Sequence, residues 1–480
     1  MSIESKIFKG TSWLALFKSA SQVISWGVTI IVARILVPGD FGLMDMATII
    51  TGYAFFFSEL GFGAAIIQRA DITKNELSSI FWFGLIVNVV LALGSFVIAY
   101  PTAMIFHEPK VIPITRATSA LFLLAGLNIV PMNILKRDLS FKDVGIIEMT
   151  GTTVSCAAML VIAVSGGGVW TLIGGHIVRA FTNVVQTFIR AKWLPMRHFK
   201  FKEVRPFLRF GVSVAIGQSL FYVHSKSDRM FGGRALASSA LGFYSLALQL
   251  AQLPTEKIVV LINQVSFPAF AKMARDKERF NKLYLNITKI TAILVMPLFV
   301  GGFLVGESLI RLILNEKWFA MLPLFKYLCL VQVMTAMNAV NDFVHTAQGR
   351  PEWPMYFNAT MALFLPISFY FAAQRGLNGM LLPWCTTYLF ICAGWIIVTL
   401  NKLGIAVTAY LKNLHVPVIS VFLMAFVLVT TGYLLKISVP ALTSFPLFIS
   451  KVCIGSLTYM LCVWCFDKNL LKNAVRMIKA

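Results

Sequence analysis

Residues 19–47 read SASQVISWGVTIIVARILVPGDFGLMDMA and residues 219–247 read SLFYVHSKSDRMFGGRALASSALGFYSLA, so two stretches 200 positions apart share one pattern. In each stretch a segment without proline ends near an arginine, a short turn follows, and a second segment begins. The identical pairs are Ser19 and Ser219, Val23 and Val223, Ser25 and Ser225, Arg34 and Arg234, Leu36 and Leu236, Gly42 and Gly242, and Ala47 and Ala247. The repeat predicts two halves of one architecture.

The amino-acid composition indicates whether this chain folds in water or in a membrane. Of its 480 residues 58% are hydrophobic and 13% are charged, and the mean hydropathy is +0.79. A soluble domain carries about 25% charged residues, and one membrane-spanning helix needs about 20 apolar ones. The apolar excess runs along the whole chain, which excludes both a soluble domain and a soluble body with a single anchor. We predict an all-α polytopic membrane protein.

Apolar stretches bounded by charged residues, proline or glycine predict about fourteen transmembrane helices. The predicted spans are 11–35, 41–67, 78–100, 113–134, 144–165, 169–189, 207–231, 237–266, 285–306, 321–346, 353–373, 378–400, 414–435 and 442–465. The loops between them are short, so no soluble domain is predicted at any point.

The charge distribution predicts the orientation. Lys and Arg outnumber Asp and Glu by 42 to 20, and they lie in short loops, whereas a nucleic-acid-binding protein would cluster them on a polar domain. Cytoplasmic loops carry the excess of Lys and Arg in membrane proteins. The loops 135–143, 190–206 and 267–284 are basic, as is the C-terminal tail with Lys468, Lys472, Arg476 and Lys479, and the loop 68–77 carries Arg69 and Lys74. Both termini are therefore predicted to be cytoplasmic.

Six predicted spans separate the two copies of the repeat, so both copies have the same orientation. This arrangement predicts two parallel six-helix lobes with the substrate path between them, a plan found in transporters. We place the N-terminal lobe at residues 1–190, a basic cytoplasmic linker at 191–206, and the second lobe at 207–400. Residues 401–480 form an appended helix pair and a cytoplasmic tail.

Polar residues inside the predicted spans are the candidate site residues, because a charge in the bilayer usually faces a partner or a wet cavity. They concentrate on the first two helices of each lobe and recur at helical spacing, which places them on one face. The candidate substrate-binding residues are Lys18, Gln22, Ser25, Gln218, Tyr222, Lys226, Arg229, Gln249, Gln252 and Lys257. The candidate ion-coupling carboxylates are Asp45, Glu59, Asp228 and Glu256. Structural pairing remains the alternative for each of them.

Other chemistry has little support in the sequence. The seven cysteines lie inside apolar segments, where packing explains them, and His176, His224 and His345 have no metal-ligand spacing. The sequence has no GxxxxGK[ST] phosphate loop, so we predict that the chain does not itself hydrolyse nucleotide. Neither a metal nor a cofactor is predicted.

Four stretches carry a resemblance to a known family. Residues 35–43 (ILVPGDFGL), 58–69 (SELGFGAAIIQR), 72–77 (ITKNEL, followed by Phe81 and Trp82) and 131–141 (PMNILKRDLSF) resemble the Wzx-type polysaccharide flippases, of the colanic-acid exporter type. The similarity extends over essentially the full chain, although Glu59 stands where many relatives are expected to have Asp. The resemblance implies membership of the multidrug/oligosaccharidyl-lipid/polysaccharide exporter superfamily.

The resemblance also implies a function. Such proteins move an undecaprenyl-pyrophosphate-linked oligosaccharide from the cytoplasmic to the periplasmic leaflet of the bacterial inner membrane, in company with polysaccharide polymerase and export machinery. Two alternatives stay open. One is a small-molecule or drug antiporter of the same superfamily, and the other is a membrane oligosaccharide polymerase or ligase, which would need catalytic residues in a sizeable periplasmic loop.

Overall fold

The computed structural model describes residues 3–59, 62–69, 71–438 and 444–467. Within these ranges the chain consists of helices and short connections, with no β-strand. The C-terminal tail, with its four predicted cytoplasmic cations, lies outside the described residues. The protein is an all-α polytopic membrane protein, as the composition predicted.

The helices follow one another in the order of the predicted spans. Their bounds are α1 Ile3–Ile35, α2 Pro38–Glu59, α3 Phe62–Gln68, α4 Lys74–Phe106, α5 Val111–Arg137, α6 Phe141–Val164, α7 Trp170–Ala191, α8 Phe201–Ala235, α9 Ser238–Met273, α10 Lys277–Ile313, α11 Leu322–Ala347, α12 Glu352–Ala373, α13 Gly376–Gly379, α14 Leu381–Pro383, α15 Leu389–Leu403, α16 Val407–Asn413, α17 His415–Ser438 and α18 Ser444–Phe466. A 3₁₀ turn at Glu316–Met321 precedes α11, and a π-helical turn at Trp384–Tyr388 joins α14 to α15.

Twelve helices of the described chain are long and apolar enough to cross a membrane. Two of the fourteen predicted spans, 169–189 and 207–231, are not among these twelve. Both form helices, α7 with 22 residues and α8 with 35, and either is long enough to span about 30 Å of hydrocarbon. They fall short in apolar character, because α7 carries His176 and Arg179 and α8 carries a run of charged residues.

The start of α4 shows how local sequence sets a helix boundary. The Thr73 hydroxyl oxygen accepts a hydrogen bond from the backbone N–H of Glu76 at 3.2 Å. The Glu76 carboxylate accepts in return from the Thr73 backbone N–H at 2.8 Å. This reciprocal cap satisfies two backbone donors that the first turn would otherwise leave unpaired. It fixes the residue at which the loop 68–77 ends and the span begins.

The chain folds into two compact units, Met1–Gly242 and Phe243–Ala480. In the first unit α1 packs on α6, α4 packs on α5, and α8 packs on α2 and α4. In the second unit α10 packs on α11, and α17 and α18 pack on each other and on α10. Helix α8, assigned to the second lobe from the sequence, therefore has its neighbours in the first unit. The lobe boundaries at 190 and 207 stay a prediction.

Candidate functional site

The most closely associated charges among the candidate residues lie where α8 meets α2. Arg229 Nε is 3.4 Å from Asp45 Oδ2, and the two side chains are 13% and 23% exposed. The residues are 184 positions apart and come from the two copies of the sequence repeat. Because α2 is otherwise largely apolar, this pair marks a polar point on a candidate membrane-spanning helix.

Tyr222 makes a second contact between the same helices, two turns before Arg229 on α8. Its hydroxyl donates a hydrogen bond to the backbone carbonyl of Ile49 on α2. The ring packs against Phe56, with centroids 5.3 Å apart. Gly52 makes room for the phenol, since a Cβ at this position would lie 2.6 Å from the Tyr222 hydroxyl oxygen. Tyr222 thus contacts the backbone of α2 directly, at a point where Gly52 has no side chain.

Lys226 lies between Tyr222 and Arg229 at spacings of four and three, so the three side chains share one face of α8. It is half-buried, and the charges of Arg229, Asp45 and Asp228 all act on it. Asp228 is buried, with 1% exposure, and its carboxylate accepts a hydrogen bond from the Arg229 backbone N–H at 2.7 Å. We call Asp45, Lys226, Asp228 and Arg229 the charged cluster. It holds two cations and two carboxylates.

The candidate residues of α1 have different surroundings. Lys18 Nζ is 3.8 Å from the carboxylate of Glu148 on α6, and the lysine side chain is 56% exposed. Gln22 and Ser25 are half-buried on the same helix. An exposed pair at this distance contributes little stability. Glu148 was missed from the sequence, since nothing in a single sequence links residues 130 positions apart.

The candidate residues of α9 all belong to the second unit. Gln249, Glu256 and Lys257 are exposed, and Gln252 is half-buried. Their neighbour Thr255 donates a hydrogen bond to Gln332 at 2.9 Å. Glu59 is exposed at the end of α2. The side chain of Gln218 lies outside the described residues.

Further polar groups of the second unit have structural partners. Lys289 Nζ lies 2.6 Å from the Asp467 carboxylate, which fixes α10 to the end of α18. His345 stacks on Trp353 at 5.6 Å and lies 3.0 Å from the Thr399 hydroxyl, consistent with a packing role. An open cavity of about 480 Å³ is lined by Asn263, Gln264, Phe267, Pro268, Asp342, Phe343 and Thr346.

The basic linker is docked on the start of α4. The Ser78 hydroxyl oxygen accepts a hydrogen bond from the Met196 N–H at 3.0 Å, and the Trp82 indole N–H donates to the Met196 carbonyl at 2.8 Å. The Ser79 hydroxyl donates to the Glu203 carboxylate at 2.6 Å and accepts from the Lys200 N–H at 3.1 Å. These bonds hold the backbone of the linker while its cations stay exposed.

Glu203 is the centre of this docking. Its carboxylate also lies 3.0 Å from His198 Nε2. The hydrogen bond from Ser79 lowers the pKa of Glu203 below its usual value, and the contact with His198 lowers this pKa further. The sequence identified the linker by its positive charge but missed Glu203, because one acid among five Lys and Arg residues looks like a neutralising residue.

Comparison with known proteins gives a family and a fold. Residues 31–323 match a family described as "Polysaccharide biosynthesis protein". The teichuronic acid biosynthesis protein TuaB of Bacillus subtilis is 24% identical over 422 residues, which cover 87% of each chain. The lipopolysaccharide biosynthesis protein WzxC of Escherichia coli is 25% identical over 371 residues, which cover 76% of this chain and 75% of that one.

Among solved structures, the lipid II flippase MurJ in an inward closed conformation superposes with a TM-score of 0.77 at 15% identity, covering 95% of this chain and 100% of MurJ. A multidrug resistance transporter of the MATE family and MOP superfamily superposes with a TM-score of 0.62 at 14% identity, covering 82% of this chain and 98% of that one. At these identities the likeness shows the fold alone.

Proposed function

The chain belongs to the polysaccharide biosynthesis protein family, and from that membership we propose that it flips an undecaprenyl-pyrophosphate-linked oligosaccharide across the bacterial inner membrane. Relatives named for teichuronic acid and lipopolysaccharide biosynthesis support a lipid-linked saccharide as the substrate. The fold shared with a lipid II flippase supports the same class of transport. On this proposal the protein is a transporter and not an enzyme.

The observation that carries the proposal is the charged cluster between α2 and α8. A pyrophosphate and a sugar cannot enter hydrocarbon unaided, whereas Lys226 and Arg229 offer donors to phosphate oxygens. The prenyl tail stays in lipid. A cluster of this kind is costly inside a membrane, which is why such residues mark substrate pathways.

The pairing of Arg229 with Asp45 gives substrate binding a structural consequence. Phosphate oxygens compete with the Asp45 carboxylate for the same guanidinium, which prefers planar, bidentate partners. When phosphate takes Arg229, the contact between α2 and α8 loses its ion pair. Binding of the head group therefore favours separation of the two helices, which is the movement that alternating access requires.

Several parts of the proposal follow from the predicted topology. The termini and the linker at 191–206 are cytoplasmic, and the oligosaccharide is released to the periplasm, where a polymerase and export machinery receive it. A proton or another cation drives the cycle through one of the carboxylates Asp45, Glu59, Asp228 or Glu256. The remaining candidate contacts, Lys18, Gln22, Ser25, Gln218, Gln249, Gln252 and Lys257, line the path beyond the cluster.

Replacing the cations of the cluster tests the proposal. We expect Lys226→Ala and Arg229→Ala to lower export at normal membrane levels, because each loses about 1–3 kcal/mol of phosphate binding. Arg234→Ala is the matched control, since Arg234 lies on the same helix but is exposed near its end. Full export by the Lys226→Ala, Arg229→Ala double variant would contradict phosphate binding at the cluster.

A deletion strain tests the substrate class itself. We expect a lipid-linked oligosaccharide to accumulate in the cytoplasmic leaflet, measured by extraction and leaflet-specific labelling. If no such lipid accumulates and the strain instead becomes sensitive to toxic small molecules, the drug antiporter alternative holds. Accumulation of single repeat units on the periplasmic side would point to the polymerase or ligase alternative.

A further inference from the structure

Helices α2 and α9 begin with equivalent residues of the sequence repeat. Helix α2 starts at Pro38 and α9 at Ser238, and the fifth residue of each is a glycine, Gly42 and Gly242. Both glycines are buried, and Gly42, Ser238 and Gly242 belong to the first unit. The predicted topology places these two helix starts on the periplasmic side.

The two helix starts cross in direct backbone contact. A Cβ built on Gly42 would lie 1.8 Å from the carbonyl oxygen of Ser238 and 3.1 Å from the backbone nitrogen of Gly242. A Cβ built on Gly242 would lie 1.7 Å from the carbonyl oxygen of Pro38 and 3.2 Å from the nitrogen of Gly42. The contact is reciprocal, so each glycine makes room for the first residue of the opposite helix. No side chain fits at either position in this arrangement.

The crossing is the outermost of three contacts along one face of α2. Positions 42, 45 and 49 are three and four residues apart, so they share that face. Gly42 meets the start of α9, Asp45 pairs with Arg229, and the Ile49 carbonyl accepts from Tyr222. The backbone crossing therefore lies directly outside the charged cluster, where a path from the cluster to the periplasm would run.

We propose that the crossing of α2 and α9 at Gly42 and Gly242 is the periplasmic gate of this path, and that the missing side chains at both positions allow it to close. The identity of the transported molecule rests on the proposed function, whereas the closing of the gate depends only on the contact between the two helix starts. An oligosaccharide leaves only when the two helix starts separate. An alanine fits the separated state and obstructs the crossed one, so it shifts the population toward the open gate.

A disulfide across the gate tests whether it must open. A Cβ at Gly39 would lie 3.6 Å from the Ser238 hydroxyl oxygen, so Gly39→Cys with Ser238→Cys places two thiols at the crossing. The seven native cysteines are replaced first. We expect oxidation to form the cross-link and to lower export at least about tenfold, the effect of trapping one state. Reduction should restore export.

The chain offers a matched control for this disulfide. A Cβ at Gly302 on α10 would lie 3.3 Å from the Sγ of Cys329 on α11, inside the second unit. Gly302→Cys with Cys329 retained thus joins two neighbouring helices that need not separate. Export should continue when this control is oxidised.

Alanine at the two glycines tests the steric part of the proposal without any substrate. Periplasmic labelling of Ser225→Cys by a membrane-impermeant maleimide reports access to the inner face of α8. We expect Gly42→Ala and Gly242→Ala each to raise this labelling several-fold. Gly94→Ala is the control, because no atom lies within 4 Å of the Cβ it would add.

Three results would overturn the gate. The cross-link fails to form, or it forms and export continues, or both alanine variants leave the labelling unchanged. A failure of the proposed function is distinguishable from these. If cells export no lipid-linked oligosaccharide while cross-linking and labelling respond as expected, the gate stands and the cargo has to be sought elsewhere.

Discussion

Arg229 has two roles, since it contacts α2 through Asp45 and is proposed to bind the phosphate of the head group. Its guanidinium faces Asp45 across the contact between α2 and α8, and both side chains are largely removed from solvent. A charge pair in such surroundings is costly to break from one side only, because the remaining charge is left desolvated. The same feature makes Arg229 available to a competing anion that supplies more than one oxygen.

The coupling between these two residues can be measured in a double-mutant cycle of Asp45→Asn and Arg229→Gln. We expect a coupling free energy of about 1–3 kcal/mol in the unfolding of the purified protein, since the pair is mostly buried. The exposed pair of Glu307 and Arg311, with 46% exposure on each side, should give about 0–0.5 kcal/mol in the same cycle. Equal coupling for both pairs would mean that Asp45 and Arg229 do not interact inside the membrane.

A substitution at Glu59 distinguishes a role in ion coupling from a role in helix packing. It is exposed at the end of α2, and no described residue forms an ion pair with it. Glu59→Gln keeps the shape and the hydrogen-bonding capacity but cannot titrate. We expect it to lose the dependence of export on a proton gradient, measured in vesicles with and without that gradient. Wild-type rate and gradient dependence would make Glu59 structural.

At the scale of elements, the linker behaves as a docked segment rather than as a loose connection. Its backbone is bonded to Ser78, Ser79 and Trp82 at the start of α4, and Trp193 packs on Phe81 with ring centroids 5.6 Å apart. The start of helix α8 is thus held against α4 in the first unit. One of the docking contacts, the hydrogen bond from Ser79, is made to the carboxylate of Glu203 and so depends on its charge.

The docking should weaken in acid. Because the folded pKa of Glu203 lies below its ordinary value of 4.5, the carboxylate stabilises the docked linker above that value, and this stabilisation is lost as the pH falls through the lowered pKa. Hydrogen exchange of residues 196–203, corrected for its intrinsic pH dependence, should rise across that range. Ser79→Ala removes the main cause of the shift and should move the transition to higher pH. Ser165→Ala, directly after the end of α6, should leave it unmoved.

At the scale of the molecule, α7 and α8 differ from the other long helices in their polarity. Both are long enough to span the bilayer but more polar than the other twelve helices. In the amphipathic α7 the Gln186 amide meets the Thr150 hydroxyl, and Arg190 lies 2.6 Å from the Asp143 carboxylate. Two polar side chains of α7 are thus paired with α6, which lowers the cost of placing such a helix in lipid.

Reporter fusions test the orientation of α7 directly. We expect a fusion at Lys200 to report the cytoplasm and one at Gly167, in the turn between α6 and α7, to report the periplasm. The excess of Lys and Arg after α7 is the physical reason. If both fusions report the same side, α7 does not cross the membrane and the count of fourteen spans is wrong.

The sequence was sufficient for the features that depend on local composition. Most predicted spans correspond to one helix, because twenty apolar residues have few alternatives in a chain of this composition. Two do not: 41–67 falls on α2 and α3, and 378–400 falls on α13, α14, the π-helical turn and α15. The repeat also singled out Gly42 and Gly242, although not the contact between them. Such a contact depends on how distant helices cross, and so do the pairs of Asp45 with Arg229 and of Lys18 with Glu148. Periodicity gives the face on which a residue lies but not the partner it meets.

The docking of the linker has a practical consequence for the covalent chain. Residues 196–203 reach α4 through hydrogen bonds that do not depend on the peptide bonds between Ala191 and Leu194. Two separately translated fragments, 1–192 and 193–480, therefore carry complementary surfaces, α4 on one and the start of α8 on the other. Co-expressed in one cell, they should reassemble into a working protein, whereas fragments with Trp82→Ala and Ser79→Ala should not. The peptide bonds between the two fragments would then be unnecessary for assembly, and two genes could encode the same transporter.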